Sequence, residues 1–553
     1  MKNIIKISLI GFLILLGSQG CEEQDFLKEK PKDNIYAENL LQNYDGFENM
    51  MNAIYAWVRT ERRRFDPSGG IPLTRYTVWG CGVDNAFMNN GHSKMAWMNW
   101  PTYANPEQDV WSSMWEWLYK IVNSSNMVIS RANDPAIDWQ GTTPAQNEEN
   151  KNFIIAQARV IRAWAYRHLT YSWGDVPLSL EEINGANYRN DWNRTAINEV
   201  RAQMVDDLTF GVDNLKMRYD NPGVVNKAVA LYYLAETYIN LKDYGKAVDA
   251  AKTLCESGEY QLMTARFGAS ASEPGNAFMD VFKNPLPSEG NMESLWVLLN
   301  TEPENVAYGY ENGMYPNNMW MTYYSKDENV KQLNLDIFYT YNGGRGAGRC
   351  SITAPALSWY ESQDDRYSEY AIKKFCVYPN DAGGLDTVLW TNTDHVITEG
   401  KYDLDHYQWP STRKWEYVNP VPEKAQERDQ YNNLIYLRLA DAYLLYAEAL
   451  LDNGQPDQAA IWINKVRERS NATDITAGDV TLDFILDERS RELVTEEPRR
   501  ETLIRTGKFK ERVKLYNDFA SPTIDEAPVL FPIPQSVIDA NTGGVLKQNP
   551  GYN

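Results

Sequence analysis

Two short stretches of the chain carry side chains suited to holding sugars. The first, residues 75–103, interleaves aromatic rings with hydrogen-bonding groups: Arg75, Tyr76, Trp79, Asp84, Asn85, Trp97, Asn99, Trp100 and Tyr103. The second, Tyr315-Pro316-Asn317-Asn318-Met319-Trp320-Met321-Thr322-Tyr323-Tyr324, repeats the mixture. A pyranose has an apolar face of axial C–H groups and a rim of hydroxyls. An indole or phenol ring covers the face, while Asp, Asn, Gln or Arg at its edge pairs with the rim. Both stretches are punctuated by turn-forming residues and read as loops, where binding groups concentrate. Trp97 and Trp320 are the leading stacking candidates, with Trp100, Tyr323, Asp84, Asn85 and Arg75 around them. Trp111, Trp115, Trp117 and Trp164 fall at helical spacing and are expected in the core.

Catalysis and metal chemistry find less support in the residues. Glu181-Glu182 and Asp206-Asp207 are sequence neighbours whose side chains point apart, whereas glycoside hydrolysis needs opposed carboxyl groups roughly 5–9 Å apart across a sugar. Asp403-Leu404-Asp405-His406 lacks the glycine and terminal glutamate of a calcium loop. Gly343-Gly344-Arg345-Gly346-Ala347-Gly348-Arg349 lacks the Gly-Lys-Ser/Thr ending of a phosphate loop and reads as a mobile turn, with Arg345 within reach of an acidic ligand. Cys81, Cys255, Cys350 and Cys376 allow three pairings that spacing does not choose among, and a buried free thiol is the reading for Cys255 in its helical stretch. No catalytic residue, metal or cofactor is expected.

Composition narrows the partners. The 553 residues include 54 Lys and Arg against 75 Asp and Glu, a net charge of −21, which argues against a binder of phosphate backbones. With 43% hydrophobic and 23% charged residues the chain is globular rather than disordered or polytopic. Its 35 Tyr outnumber its 34 Gly, and 18 Trp add to them, so flat amphipathic surface is in demand.

At the N-terminus, Lys2 and Lys6 precede the apolar run Ile7–Leu16, too short for a stable span. Residues 1–20 read as a secretory signal. Gly17-Ser18-Gln19-Gly20-Cys21 resembles the lipobox of bacterial lipoproteins, which implies cleavage before Cys21 and acylation of its thiol. Glu22-Glu23-Gln24-Asp25 then begins an acidic tether over 21–30.

The elements that must position these groups are mostly helical. Tyr44, Phe47, Met51, Ile54, Tyr55 and Val58 form one apolar stripe; Trp111, Trp115, Leu118, Ile121 and Val122 form another. Residues 227–260 pair a helix lined by Leu231, Leu234, Ala235 and Tyr238 with one lined by Ala247, Val248, Ala251 and Leu254, in a pattern similar to a tetratricopeptide repeat. A second copy spans 439–469, through Tyr443, Tyr446, Ala447, Leu450, Ala459, Ile463 and Val466. Because the copies lie far apart, a contiguous solenoid is excluded and the pairs must meet in space. The expectation is a predominantly α fold: a helical part over 31–260, a loop-rich lobe with a few short strands over 261–430, and a second helical part over 431–553, all one unit.

Five blocks in order resemble the SusD/RagB family of outer-membrane nutrient-binding lipoproteins. They are Ala156–Trp164 running on to Trp173-Gly174-Asp175-Val176-Pro177-Leu178; Tyr436–Ala449; Ile485–Leu493 with Arg505-Thr506-Gly507-Lys508; Leu530-Phe531-Pro532-Ile533-Pro534; and Gln548-Asn549-Pro550-Gly551-Tyr552. The resemblance implies a non-enzymatic lipoprotein, anchored through Cys21 on the cell surface of the outer membrane. Such a protein captures oligosaccharide and passes it to a SusC-like TonB-dependent transporter, the alternative partner for Arg345. Peptide capture by the same route, or a helical-repeat scaffold of the envelope, are the alternatives. Arg489–Glu492 and Glu496–Arg500 are expected to be structural ion pairs.

Overall fold

Helices begin where the sequence supplies caps. Asn43, Thr143, Asn226 and Asp243 each accept a backbone N–H from the first turn of the helix that follows, at 3.0–3.4 Å, which starts Tyr44–Arg59, Pro144–Trp173, Lys227–Asn240 and Tyr244–Cys255. The computed structural model describes residues 37–64, 74–88, 105–301, 313–321, 335–380, 382–389, 397–398, 401–402, 409–421 and 424–552. Among these are 18 α-helices, and the strands are at most five residues long, paired antiparallel in two-stranded ribbons. The fold is predominantly α.

Lys227–Asn240 packs on Tyr244–Cys255, and Leu439–Asp452 on Pro456–Arg469; Tyr244–Cys255 in turn packs against Leu439–Asp452. The two repeat-like pairs therefore form one stack despite their separation in sequence. Ala235, Ala247, Ala447 and Ala459 have no exposed surface, as close helix approach requires. Pro144–Trp173 lies between Asp109–Arg131 and Ile197–Asn214, and from Ile154 to Trp173 nearly every side chain is buried. One hydrophobic cluster runs from Leu41 to Ile533, with small satellites around Phe278 and Phe338.

The loop-rich stretch leaves and rejoins this stack through a ribbon. Ser294–Leu298 pairs with Leu434–Arg438, Val297 facing Ile435. Beside the ribbon lies a buried ionic network. Arg366 reaches Asp364 and Glu488 at 2.7 Å and Glu492 at 3.0 Å; Arg438 reaches Glu492 at 2.5 Å, Glu496 at 2.7 Å and Glu293 at 2.9 Å. Arg469 also pairs with Glu293 and Glu492, and Lys414 with Glu496 at 2.6 Å. Burial opposes the charge on Glu488, but the guanidiniums of Arg366, Arg491 and Arg467 outweigh it and hold the carboxyl at about 2. The charged blocks after Ile485 are thus structural ion pairs. They are interior rather than on a solvated helix face, and they tie the Leu482–Leu493 helix to Arg366 and Lys414 of the loop-rich stretch.

Candidate ligand-binding site

One short strand, Cys350–Ile352, lies against the described parts of both aromatic stretches. Ala86–Met88 pairs antiparallel with Cys350–Ile352, Ala86 facing Ile352 and Met88 facing Cys350. Arg63 bridges to Met314, and the N–H of Tyr315 donates to the carbonyl of Arg62 at 2.9 Å. The glycine-rich turn closes on the same floor: the N–H of Ala347 donates to Asn318 O at 3.0 Å and that of Gly348 to Met321 O at 2.7 Å. Gly344 has φ +103°, and a Cβ there would fall 1.9 Å from the carbonyl oxygen of Tyr417. This is a packed turn rather than a mobile one. Arg345 uses one terminal nitrogen to donate to Gln426 O at 2.8 Å.

Several residues expected to face ligand lie in the interior instead. Asp84 is fully buried and accepts from Arg499 at 2.9 and 2.7 Å and from Arg512 at 2.7 Å. Burial opposes its charge, and the two guanidiniums more than compensate, keeping its carboxyl below the ordinary value. Asn85, 2% exposed, donates to Ser490 Oγ at 3.0 Å, and its carbonyl accepts from Thr353 N–H at 3.0 Å. Both precede the short ribbon that docks on the C-terminal helices, so the segment is core where a loop tip was expected. Tyr76 and Trp79 go with it: Tyr76 Oη donates to Glu497 O at 2.5 Å, and Trp79 donates to Ser172 Oγ at 3.0 Å and stacks on His168 at 4.3 Å. Trp320 ends the Pro316–Trp320 helix at 3% exposure, its ring part of the main core. Arg75 is half-buried, donates to Thr60 O at 3.0 Å and lies 5.1 Å over the Trp117 ring; burial, helped by Arg63, brings its pKa to about 10. Trp97, Trp100, Tyr323, the Asp403–His406 run and Cys21 lie outside the described residues. Trp111, Trp115, Trp117 and Trp164 are core, as their spacing predicts.

What the floor offers is hydrogen-bonding capacity. Tyr315 Oη, Asn317 Nδ2, both amide atoms of Asn318, Arg345 Nε, and Arg349 Nε and Nη1 are buried and have no hydrogen-bond partner among the described residues. A buried polar atom left unmet costs about 1–3 kcal/mol, so a cluster of them asks for a ligand or water to satisfy it. All belong to the Tyr315–Trp320 segment and the turn packed on it. They combine amide donors, guanidinium donors and an amide acceptor, the set that sugar hydroxyls, each donor and acceptor, can match. Sequence reasoning ranked the largest ring, Trp320, above its neighbours. The adjacent Asn317-Asn318 pair between two aromatics was the readable signal; Arg349, at the end of a glycine run, offered little.

The groups that could serve other chemistry are engaged elsewhere. Glu182 pairs with Arg131 at 2.7 Å, Asp206 with Arg159 at 3.0 Å, and Asp207 with Arg162 at 2.6 Å. Cys81, Cys255, Cys350 and Cys376 are buried, and among the described residues none of them forms a disulfide. Among the described residues no three His, Cys, Asp or Glu side chains converge as metal ligands.

A family model described as the SusD family matches residues 292–552, and one described as starch-binding associating with outer membrane matches residues 25–239. The starch-binding protein SusD of Bacteroides thetaiotaomicron is 36% identical over 446 residues, 75% of this chain and 74% of its own. The chain belongs to the SusD family. Two solved structures share the SusD fold. A SusD homolog from Bacteroides thetaiotaomicron superposes with a TM-score of 0.70 at 20% identity, over 93% of this chain and 98% of its own. Surface glycan-binding protein A from the same organism, in complex with laminarihexaose, gives 0.66 at 20% identity, over 92% and 100%. The SusD-like blocks read from sequence correspond to the long Pro144–Trp173 helix and its stop, the second repeat-like pair, and the C-terminal helices with the segment after them.

Proposed function

We propose that this protein is a non-enzymatic glycan-binding lipoprotein of the outer-membrane surface. Anchored through Cys21, it captures oligosaccharide on loop aromatics and delivers it to a SusC-like TonB-dependent transporter. The observation that carries the reading is the cluster of unsatisfied amide and guanidinium groups in the Tyr315–Trp320 segment and the turn packed on it, with the first sugar-suited stretch held beside it through the Cys350–Ile352 strand. Support comes from the SusD relative named for starch binding, from the neighbour solved with laminarihexaose, and from the family description that places such chains at the outer membrane. Stacking falls to Trp97 and Trp100 of the first aromatic stretch and Tyr323 of the second. Asn317, Asn318 and Arg349 take the hydroxyl-pairing role first assigned to Asp84 and Asn85.

Calorimetry against a panel of neutral oligosaccharides and a peptide mixture tests this. Oligosaccharide binding is expected, with Trp97→Ala weakening it at least about 5-fold, as loss of one stacked ring worth about 1–3 kcal/mol implies, and leaving the melting temperature unchanged. Binding to peptides alone, or release of reducing sugar, would overturn the reading.

A further inference from the structure

A second concave site shares no residue with the floor described above. It is a cavity of about 510 Å³ between the Asp109–Arg131 helix, the 177–192 segment and the Gln535–Ala540 helix. That volume is in the range of ordinary small-ligand pockets. Trp115, Tyr119, Tyr188 and Trp192 are its aromatic lining.

The walls are fixed in place. Tyr119 Oη donates to Pro177 O at 2.7 Å. Asn123 exchanges two bonds with the backbone of Ile183, at 2.7 and 2.9 Å. Asn541 does the same for Trp192, accepting from its N–H at 2.7 Å and donating to its carbonyl at 2.9 Å. Arg189 lies 4.4 Å over the Trp192 ring and donates from Nε to Asp191 at 2.7 Å. A site so held loses little freedom when a ligand enters.

One wall does no packing that explains it. Tyr188 is 72% exposed, and neither its hydroxyl, the terminal nitrogens of Arg189 nor the carboxylate of Glu116 makes a hydrogen bond among the described residues. An amphipathic ring beside free donors and a free acceptor is the combination that covers a pyranose face and meets its rim. Charges balance in number around the cavity: Arg189 pairs with Asp191, and Lys120, its ammonium 3.5 Å over the Trp57 ring, offsets Glu116. A strongly anionic or cationic ligand would gain nothing net from that arrangement, so the matching ligand is neutral.

We infer that this cavity is a second binding site for a neutral glycan, with Tyr188 and Trp192 as its stacking surfaces. The inference rests on the glycan-binding reading and extends it to a new place on the molecule. Two sites on one protein would hold a polymer longer than either spans and raise avidity through effective concentration.

Hydrogen exchange of the full chain, with and without millimolar oligosaccharides of α-glucan, β-glucan, mannan and xylan type, reads both sites at once. Protection of the 183–192 peptide is expected in the wild type and also in Trp97→Ala, and Tyr188→Ala should weaken that protection at least about 5-fold. Trp192→Ala should do the same; Tyr188, being exposed, keeps the test valid if the tryptophan variant misfolds. Binding elsewhere with 183–192 unprotected, or equal protection in Tyr188→Ala, would overturn the second site and leave the function standing. A wild type that binds no member of the panel would overturn both.

Discussion

At Glu488 a carboxylate is kept ionised in the interior by three guanidiniums, and this makes stability depend on acid. Its folded pKa of about 2 lies below the ordinary 4.5, so the stabilisation is complete above about pH 4.5 and drains away as pH falls towards 2. Glu488→Gln is expected to lower stability by about 3 kcal/mol at pH 7, with the gap to wild type narrowing below pH 4.5. Urea midpoints of the two proteins at pH 7, 4 and 3 decide it; a constant gap would refute the linkage. Legibility at this scale was uneven. The arginine–glutamate blocks announced ion pairs by their charge alone, but nothing local revealed that Asp84 answers Arg499 and Arg512, more than four hundred residues downstream. An aspartate in an aromatic, asparagine-rich stretch looks the same whether it meets a hydroxyl or a guanidinium. Trp320 poses the same ambiguity, since indole serves a core as well as a binding face.

At the scale of elements, periodicity told most of the story. The repeat-like pairs at 227–260 and 439–469 form the helices their small and large residues predicted, because a 3.6-residue stripe has few other uses. Ala447, wholly buried where these helices press together, leaves no room for growth, and Ala447→Leu should cost about 1–3 kcal/mol in a denaturant titration. The glycine-rich turn was misjudged, since glycines that confer mobility and glycines that permit contact are the same residue on paper. At Gly344 contact wins: Gly344→Ala, forced to φ +103° against Tyr417 O, should lower the melting temperature by several degrees and loosen the floor beside Arg345 and Arg349. A fully native melt would show that the turn yields.

For the molecule as a whole, a core running from Leu41 to Ile533 and an ionic network joining the loop-rich stretch to the C-terminal helices predict cooperative behaviour. Tryptophan fluorescence and far-ultraviolet circular dichroism should report one coincident transition in urea; separated midpoints would mean that the loop-rich stretch melts by itself. The overall helical class and the meeting of distant pairs were readable from spacing. The cavity at Tyr188 and Trp192 was not, because it is assembled from three segments whose sequence separation hides their proximity.

The far end of the chain closes over the long central helix: Trp173 donates to Pro532 O at 2.8 Å, and Asn549 donates to the carbonyl of Trp173 at 3.1 Å across 376 positions of sequence. On a translating ribosome that helix would wait, its terminal indole uncapped, until almost four hundred further amino acids had been added. The end of the helix is therefore what locks late, after its neighbours in sequence have packed along its flanks.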